Sequence, residues 1–431
     1  MSTALDTSGA GRAVSLHVAS TALSQGIRLV SSIVLAHWVS PAEFGVWGLA
    51  MAIFGLLHLL RDLGLTTVLQ RDAVLAQQQL SACLGVLAVS GAVAALLLVV
   101  AAAPLATLLG RPALAPVLWV LAPALLVAGL GSVLAAVQTR QLAARPLAWV
   151  SRVGDVVQPA LALLLCTQGF GALGLAGAEL GCGLACTALA WQLRTRHWAW
   201  VPRLAGARAV LRAGLPAQAG ALFNHAQVVW PQWCLGLWGT AVAQGLYLRA
   251  QTLTQWLPAL VMPAIGFAAL PVLAERHHRG ERLGPTAWQA IAVLLLLSLP
   301  LLGLLVWSAP AWLGWLLGAA WLPVLPLLAP LALTAGLQVV VMPVPAVLTA
   351  LGQAGVASRL LAQGLVLRVG LGLLAVLPAH PDTALRLAWA LALAAGLAAA
   401  LQLWALWRAL APERLPLPPL QPSRRFITIR K

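Results

Sequence analysis

Three arginines, Arg28, Arg249 and Arg368, lie deep inside long apolar stretches of this sequence. A charged side chain at the centre of a bilayer costs about 2.5 to 3.5 kcal/mol on insertion scales, so it usually faces a cavity or a partner. The planar guanidinium group of arginine matches phosphate and carboxylate oxygens and binds them with two parallel hydrogen bonds. The pattern therefore predicts a polar chamber in a membrane protein that receives an anionic ligand.

Polar side chains accompany the deep arginines at helical spacing. Ser20, Ser24 and Ser32 flank Arg28 at four-residue intervals, which puts all four residues on one helix face. The seventh and eighth apolar stretches also carry polar residues, namely Gln218, Asn224, His225, Gln227, Gln232, Gln244, Gln251 and Gln255. We predict a substrate-binding site formed by Arg28, Arg249, Arg61, Arg368, Asn224, Gln227 and Gln251. The amides equally suit hydrogen bonding between helices.

Several charged residues also have a structural interpretation. Arg61 lies near one end of its apolar stretch and Arg152 near the start of another, so both side chains can extend to lipid headgroups. Asp155 lies one turn from Arg152 and suits an ion pair within one helix. For Arg368, structural pairing and lining of a cavity are both open.

Few protonatable groups lie within the apolar stretches. The candidates for ion or proton coupling are His58, Asp62, Glu179 and His225. His58 and Asp62 are four residues apart and can share a proton or pair with Arg61. A purely structural role is the alternative for each of the four.

The composition is that of an integral membrane protein. The 431 residues are 61% hydrophobic and 8% charged, with a mean hydropathy of +0.93, which a soluble protein cannot hide from water. A bilayer core of roughly 30 Å needs about 20 apolar residues per helix. We predict twelve transmembrane helices, at 15–39, 44–67, 79–103, 114–138, 147–168, 170–193, 213–238, 242–269, 287–308, 324–350, 355–378 and 384–408.

The positions of the basic residues predict the orientation. Most Lys and Arg residues fall in the N-terminal segment, the even-numbered connections and the tail, whereas Arg111 and Arg386 fall in the opposite connections. Under the positive-inside rule, both ends are then cytoplasmic. The basic, tryptophan-containing segment 194–212 suits a helix lying on anionic lipids. The five cysteines show no CxxC spacing, and we predict no metal, no cofactor and no nucleic-acid partner.

An internal repeat divides the twelve predicted helices into two halves. Segments 117–130 and 324–337 are identical at nine of 14 positions, at an offset of 207. A weaker match at offset 200 pairs Leu35, Trp38, Gly45 and Ala50 with Leu235, Trp238, Gly245 and Ala250. We therefore predict an all-α membrane fold with two six-helix lobes around a central cavity. The lobes are expected at 1–193 and 213–408, with a basic linker at 194–212 and a basic, proline-rich tail at 409–431.

Several short motifs stand out in the sequence, namely LAHWVSPAEFG at 35–45, DLGL at 62–65, Gln70 with Arg71, and GLYLRA at 245–250. They resemble motifs of bacterial polysaccharide flippases. The resemblance is to the O-antigen and teichoic-acid branch of the multidrug/oligosaccharidyl-lipid/polysaccharide exporter superfamily. One departure is His37, where members of that branch typically carry Arg.

The resemblance implies transport of undecaprenyl-diphosphate-linked oligosaccharide across the bacterial cytoplasmic membrane, from the inner to the outer leaflet. Anionic lipids and the polysaccharide polymerase machinery would be its partners. Two alternatives remain open. A multidrug or organic-cation exporter needs carboxylates in its chamber, and Asp62, Asp155 and Glu179 are present. A membrane polymerase or glycosyltransferase needs acidic residues or a sizeable external loop for its chemistry, and the longest external connection expected, Ala309–Pro323, carries no charge. We therefore expect a transporter and not an enzyme.

Overall fold

The computed structural model describes residues 23–411, apart from positions 25, 29, 72–75, 142, 196–197, 257, 260–282 and 378–381. Before residue 193 the helices are α1 (Gly26–Leu35), α2 (Pro41–Asp62), α3 (Leu65–Arg71), α4 (Gln77–Leu108), α5 (Leu114–Arg140), α6 (Ala144–Thr167) and α7 (Gly171–Gln192). After residue 206 they are α8 (Ala207–Trp238), α9 (Ala241–Thr254), α10 (Leu283–Leu317), α11 (Leu325–Val341), α12 (Pro343–Ala350), α13 (Ala354–Val376) and α14 (Thr383–Ala409). We call these sets the first half and the second half.

The described helices confirm the predicted membrane fold. Within the described residues, nine segments are long and apolar enough to cross a membrane. Three more of the predicted spans coincide with α1, with the 32-residue α8 and with α9. Every described part of the protein that has regular structure is helical. The fold is therefore all-α, with about twelve membrane helices.

Successive helices turn back at two opposite faces of the bundle. We call the face that carries residues 193–206 the linker face, and the opposite face the far face. The α1–α2, α4–α5 and α8–α9 connections lie at the far face. Gly318 and the 3₁₀ turn Ala319–Val324 connect α10 to α11 there.

Local sequence signals explain both ends of α2. Ser40 and Glu43 form a reciprocal capping box at its start, and Pro41 occupies the first helical position, where its missing N–H is not needed. The helix ends at Leu63 and Gly64, which both have positive φ. Glycine is needed at 64 because a Cβ atom there would also collide with the backbone of Gly214 on α8.

Two expectations about connections are wrong. The segment Ala309–Pro323 is not an open external loop, because α10 continues to Leu317 through Pro300 and Pro310. Proline is tolerated inside membrane helices because neighbouring groups satisfy the backbone that it frees. The segment 194–206 is not an interfacial helix either. Its described residues are irregular and are hydrogen-bonded to the first half, and helix begins only at Ala207.

The two halves are in backbone contact where α2 meets α9 near the far face. A Cβ atom on Gly45 would collide with the carbonyl oxygen of Ala241, and one on Gly245 would collide with that of Pro41. Positions 45 and 245 are equivalent in the repeat at offset 200, as are positions 41 and 241. Contacts that are reciprocal between equivalent positions are the signature of a two-fold axis. We call this contact the glycine seam; it supports the internal repeat.

Gly45→Ala is expected to separate the halves at the far face, because its methyl group needs the space that the α9 backbone occupies. The measurement is the distance between spin labels at Trp38→Cys and Trp238→Cys, two exposed far-face positions, in a chain without its native cysteines. The fraction of molecules with a short distance between the two labels should decrease.

The matched control is Gly183→Ala on α7, where a Cβ atom would meet no described atom within 4 Å. This change should leave the distance distribution unaltered. An unchanged distance distribution in Gly45→Ala would show that the glycine seam does not control closure of the far face.

Candidate functional site

The polar stripe predicted on the first membrane helix makes contacts along its described length. The Ser24 hydroxyl donates a hydrogen bond to Asp155 Oδ2 at 2.5 Å, and Arg28 Nη2 donates to Asp155 Oδ1 at 3.3 Å. Arg152 Nη1 donates to the Ser24 hydroxyl at 3.2 Å. Ser20 lies outside the described residues. Arg152 and Asp155 of α6 are thus both hydrogen-bonded to the stripe.

Arg28 and Asp155 differ in exposure. The Arg28 side chain is 67% exposed, whereas the Asp155 side chain is 6% exposed. A buried carboxylate therefore fixes one edge of the guanidinium group, and its other N–H donors stay accessible. Half-buried Glu179 on α7 lies in electrostatic range of Arg28. This arrangement gives Arg28 a defined position and leaves donors for an anionic ligand.

Arg249 also reaches the stripe, at Ser32, one helical turn beyond Arg28. It is 1% exposed, and its Nη1 donates to the Ser32 carbonyl oxygen at 2.8 Å and contacts the Ser32 hydroxyl. Its guanidinium carbon lies 4.5 Å from the ring centroids of both Phe44 and Trp321. In this conformation Arg249 joins α9 to α1 and α2, so its role in binding substrate stays a prediction.

Trp321 completes this contact between the halves. Its indole ring is 1% exposed and meets Phe44 edge-on, with centroids 5.9 Å apart. The indole Nε1 donates to the carbonyl oxygen of Ala36 at 2.9 Å. One tryptophan in the α10–α11 connection thus closes the far face against the end of α1. We call Arg249, Phe44, Trp321 and Ser32 the far-face lock.

Arg111 forms a second lock that the sequence analysis did not identify. Its guanidinium donates to the carbonyl oxygens of Leu235 and Gly239, each at 3.0 Å, and to the side chain of Gln244. These carbonyl groups lie at the C-terminal end of α8, where a cation is favourable. Burial lowers the pKa of Arg111, and arginine in a protein keeps its charge. The sequence did contain a signal for this role: Arg111 is a basic residue in a connection where the positive-inside rule disfavours one.

Arg61 is buried within the first half, and the interpretation that its side chain extends to headgroups is wrong. It is 2% exposed and donates to the Leu125 carbonyl oxygen and the Ser132 hydroxyl, each at 3.3 Å. Its Nη2 lies 3.4 Å from His58 Nε2. Asp62, the other expected partner, instead accepts a hydrogen bond from Thr66 at 2.7 Å. The substrate-binding role of Arg61 and the coupling roles of His58 and Asp62 stay predictions.

The histidines of α2 and α8 approach each other between the halves. A Cβ atom on Gly55 would lie 3.0 Å from His225 Cε1, and His58 is nearly one turn further along α2. The buried Nε2 atom of His225 has no hydrogen-bond partner among the described residues. Gln227 is half-buried on the same helix. These groups place polar atoms between α2 and α8, as expected for a chamber.

The remaining predicted residues are dispersed. Gln251 is half-buried on α9, and Arg368 is half-buried on α13 within electrostatic range of Tyr247. The side chain of Asn224 lies outside the part that the structure describes. In that part no cluster of three or more His, Cys, Asp or Glu side chains is arranged to hold a metal ion. The candidate site is therefore the α1 stripe with Arg28, Asp155 and Arg249.

Comparison with known proteins identifies the family. The sequence profile of a family described as polysaccharide biosynthesis protein matches residues 34–326. The chain belongs to this family. The matched range runs from the end of α1 to the start of α11, so it contains the glycine seam, Arg111 and the far-face lock apart from Ser32. No curated protein matches the chain in sequence.

Solved structures of transporters share the fold of this polysaccharide biosynthesis protein. The lipid II flippase MurJ, in an inward closed conformation, is 11% identical with a TM-score of 0.70, over 92% of this chain and 89% of the other. An inward-facing multidrug resistance MATE transporter is 17% identical with a TM-score of 0.64, over 89% and 95%. A transporter of the MOP superfamily from Pyrococcus furiosus is 16% identical with a TM-score of 0.55, over 93% of this chain and 96% of the other. At these identities the likeness shows the fold alone.

Arg111→Gln is expected to lower the melting temperature of the detergent-purified protein by several degrees. It leaves the carbonyl groups of Leu235 and Gly239 without a cation, and hydrogen bonds to a charged group contribute about 1.5 to 3 kcal/mol each. The measurement is the unfolding midpoint by intrinsic fluorescence.

Arg386→Gln is the matched control, because Arg386 lies in the first turn of α14 and is exposed. Its midpoint should stay at the wild-type value. Equal midpoints for the two variants would contradict a locking role for Arg111.

Proposed function

We propose that the protein is a flippase that moves undecaprenyl-diphosphate-linked oligosaccharide from the inner to the outer leaflet of the bacterial cytoplasmic membrane. The observation that carries the proposal is Arg28, a largely exposed guanidinium group on a membrane helix, held by the buried Asp155. Membership of the polysaccharide biosynthesis family and the flippase-like fold support it. The product would be a surface polysaccharide such as O-antigen, capsule or exopolysaccharide.

The cargo explains why a polar path is needed. A sugar chain cannot cross hydrocarbon, because each hydroxyl that loses its hydrogen bonds costs several kcal/mol. A hydrated groove between the halves would carry the sugars while the lipid tail stays in the bilayer. An exposed guanidinium group inside the membrane raises the free energy when it contacts lipid and lowers it when it binds a diphosphate. Arg28 is thus our first choice for the diphosphate contact.

The contacts between the halves support alternating access. The glycine seam, the far-face lock and Arg111 all close the far face in the present conformation. We infer that the linker face is cytoplasmic, since residues 194–212 carry five arginines, and that the cargo enters from this side. Arg249 would meet the diphosphate only after the far face opens. Rocking of the lobes proposed at 1–193 and 213–408 would accomplish this.

An organic-cation exporter is the second candidate, because a multidrug transporter shares the fold. Its chamber would need free carboxylates. Asp155 is bound by Ser24 and Arg28, and Asp62 by Thr66. These contacts favour an anionic cargo.

The first test is the sidedness of undecaprenyl-diphosphate-linked oligosaccharide in a strain that lacks this protein. The flippase proposal predicts accumulation on the cytoplasmic leaflet, because synthesis continues and transport stops. Accumulation on the outer leaflet would indicate a later step such as polymerisation. No accumulation would favour the exporter.

Arg28→Ala is expected to insert and express normally and to abolish complementation of that strain, because it removes the accessible donors. The readout is the fraction of lipid-linked oligosaccharide that reaches the outer leaflet. Arg145→Ala, which removes an exposed arginine from the first turn of α6 at the linker face, should complement fully. Wild-type transport by Arg28→Ala would remove the proposed diphosphate site.

A further inference from the structure

A cavity of about 640 Å³ lies at the linker face, separate from the candidate site. Its lining residues are Trp191, Gln192, Arg194, Trp198 and Trp200. This volume lies within the usual range for pockets that bind small molecules, about 300 to 1,000 Å³. Trp191 is about 18 Å along α7 from Glu179, the residue near Arg28, at 1.5 Å per residue. The cavity is therefore not part of the α1 stripe.

The segment that lines the cavity is fixed to the first half by hydrogen bonds. The side chain of Gln77 on α4 donates to the carbonyl oxygen of Ala199 at 2.6 Å and accepts from the Ala199 N–H at 3.0 Å. The backbone N–H of Arg203 donates to the Ser81 carbonyl oxygen at 2.9 Å. These contacts hold residues 198–203 in one place although they form no helix. The walls of the cavity are therefore preorganised for a ligand.

One wall of the cavity is a guanidinium group stacked on tryptophan. The Arg194 guanidinium carbon lies 3.8 Å from the Trp191 ring centroid, and Nη1 donates to the Trp191 carbonyl oxygen at 2.6 Å. Its Nε atom is buried and has no hydrogen-bond partner among the residues that the structure describes. Trp200 meets Trp191 edge-on at 6.0 Å and donates its indole N–H to the Thr195 carbonyl oxygen. The rings fix the guanidinium group, and one buried donor remains unused.

The stretch of chain that supplies the walls of the cavity carries only basic charges. The sequence contains no Asp or Glu between Glu179 and Glu275, whereas residues 194–212 contain five arginines. No acidic side chain of this stretch can therefore neutralise Arg194. An anion supplied from outside the protein is the complement of such a cavity.

We propose that this cavity binds the phosphate headgroup of an anionic phospholipid of the adjacent leaflet. Trp191 and Gln192 end the membrane-spanning α7, so the cavity opens at the depth of the headgroups, where tryptophan is favourable. The phosphate accepts hydrogen bonds from Arg194, and the tryptophan rings pack on the glycerol. A resident lipid there links the leaflet to residues 198–206, from which α8 begins.

The test is native mass spectrometry of the full-length protein equilibrated with equal amounts of dioleoylphosphatidylglycerol and dioleoylphosphatidylcholine. The wild type should retain phosphatidylglycerol in preference to phosphatidylcholine. Arg194→Gln should reduce the population with the most strongly retained phosphatidylglycerol about tenfold, the loss expected for one charge-assisted contact. This readout measures binding only, so it is independent of whether the protein transports lipid-linked oligosaccharide.

Arg408→Gln is the matched control. The Arg408 guanidinium also stacks on a tryptophan, Trp404, at 3.9 Å near the end of α14, but it lines no part of this cavity. Retention by Arg408→Gln should equal that of the wild type.

Three results would overturn the proposal. The first is equal retention of the two lipids by the wild type, which needs no variant. The second is equal loss in Arg194→Gln and Arg408→Gln. The third is displacement of phosphatidylglycerol by an equal concentration of inorganic phosphate or of undecaprenyl diphosphate, which would assign the cavity to a free anion or to the cargo.

Discussion

The backbone contact between α2 and α9 is the constraint on which the present arrangement depends. Gly45 and Gly245 permit it, because any side chain would separate the two helices. Only at this separation do Phe44 and Trp321 reach the guanidinium group of Arg249, and Trp321 reach the end of α1. A seam of two small residues thus determines whether larger polar and aromatic groups are buried between the halves.

Two arginines near the same helix face therefore have opposite environments. Arg28 is bound by a buried acid and is mostly exposed, whereas Arg249 is 1% exposed between two rings. The side chains are chemically identical, and the packing around each decides what it can bind. Separation of the seam would expose Arg249 next to Ser32, one turn from Arg28. The stripe on α1 would then offer two guanidinium groups where the closed state offers one.

The sequence predicted the helices well because a bilayer imposes length and composition on every span. The repeat at offset 200 makes Gly45 and Gly245 equivalent, and the structure brings these equivalent residues together in the glycine seam. Prediction from the sequence was wrong where packing between distant segments sets the position of a side chain or the end of a helix. Arg61 is buried because Leu125 and Ser132 of another helix accept its hydrogen bonds, and no local pattern records that. The continuation of α10 through Pro310 was missed because proline usually ends helices in water.

The far-face lock is incompletely satisfied, and this bears on how the protein can open. Among the described residues, Nε and Nη2 of Arg249 are buried without a hydrogen-bond partner. An unsatisfied buried donor costs about 1 to 3 kcal/mol, and more when charged. A cation–π contact contributes about 0.5 to 2 kcal/mol, so the two rings offset a cost of similar size. The contacts of Arg249 therefore favour the closed far face by less than their number suggests. Water or a phosphate that reached the guanidinium group would supply the missing hydrogen bonds and favour the opened state.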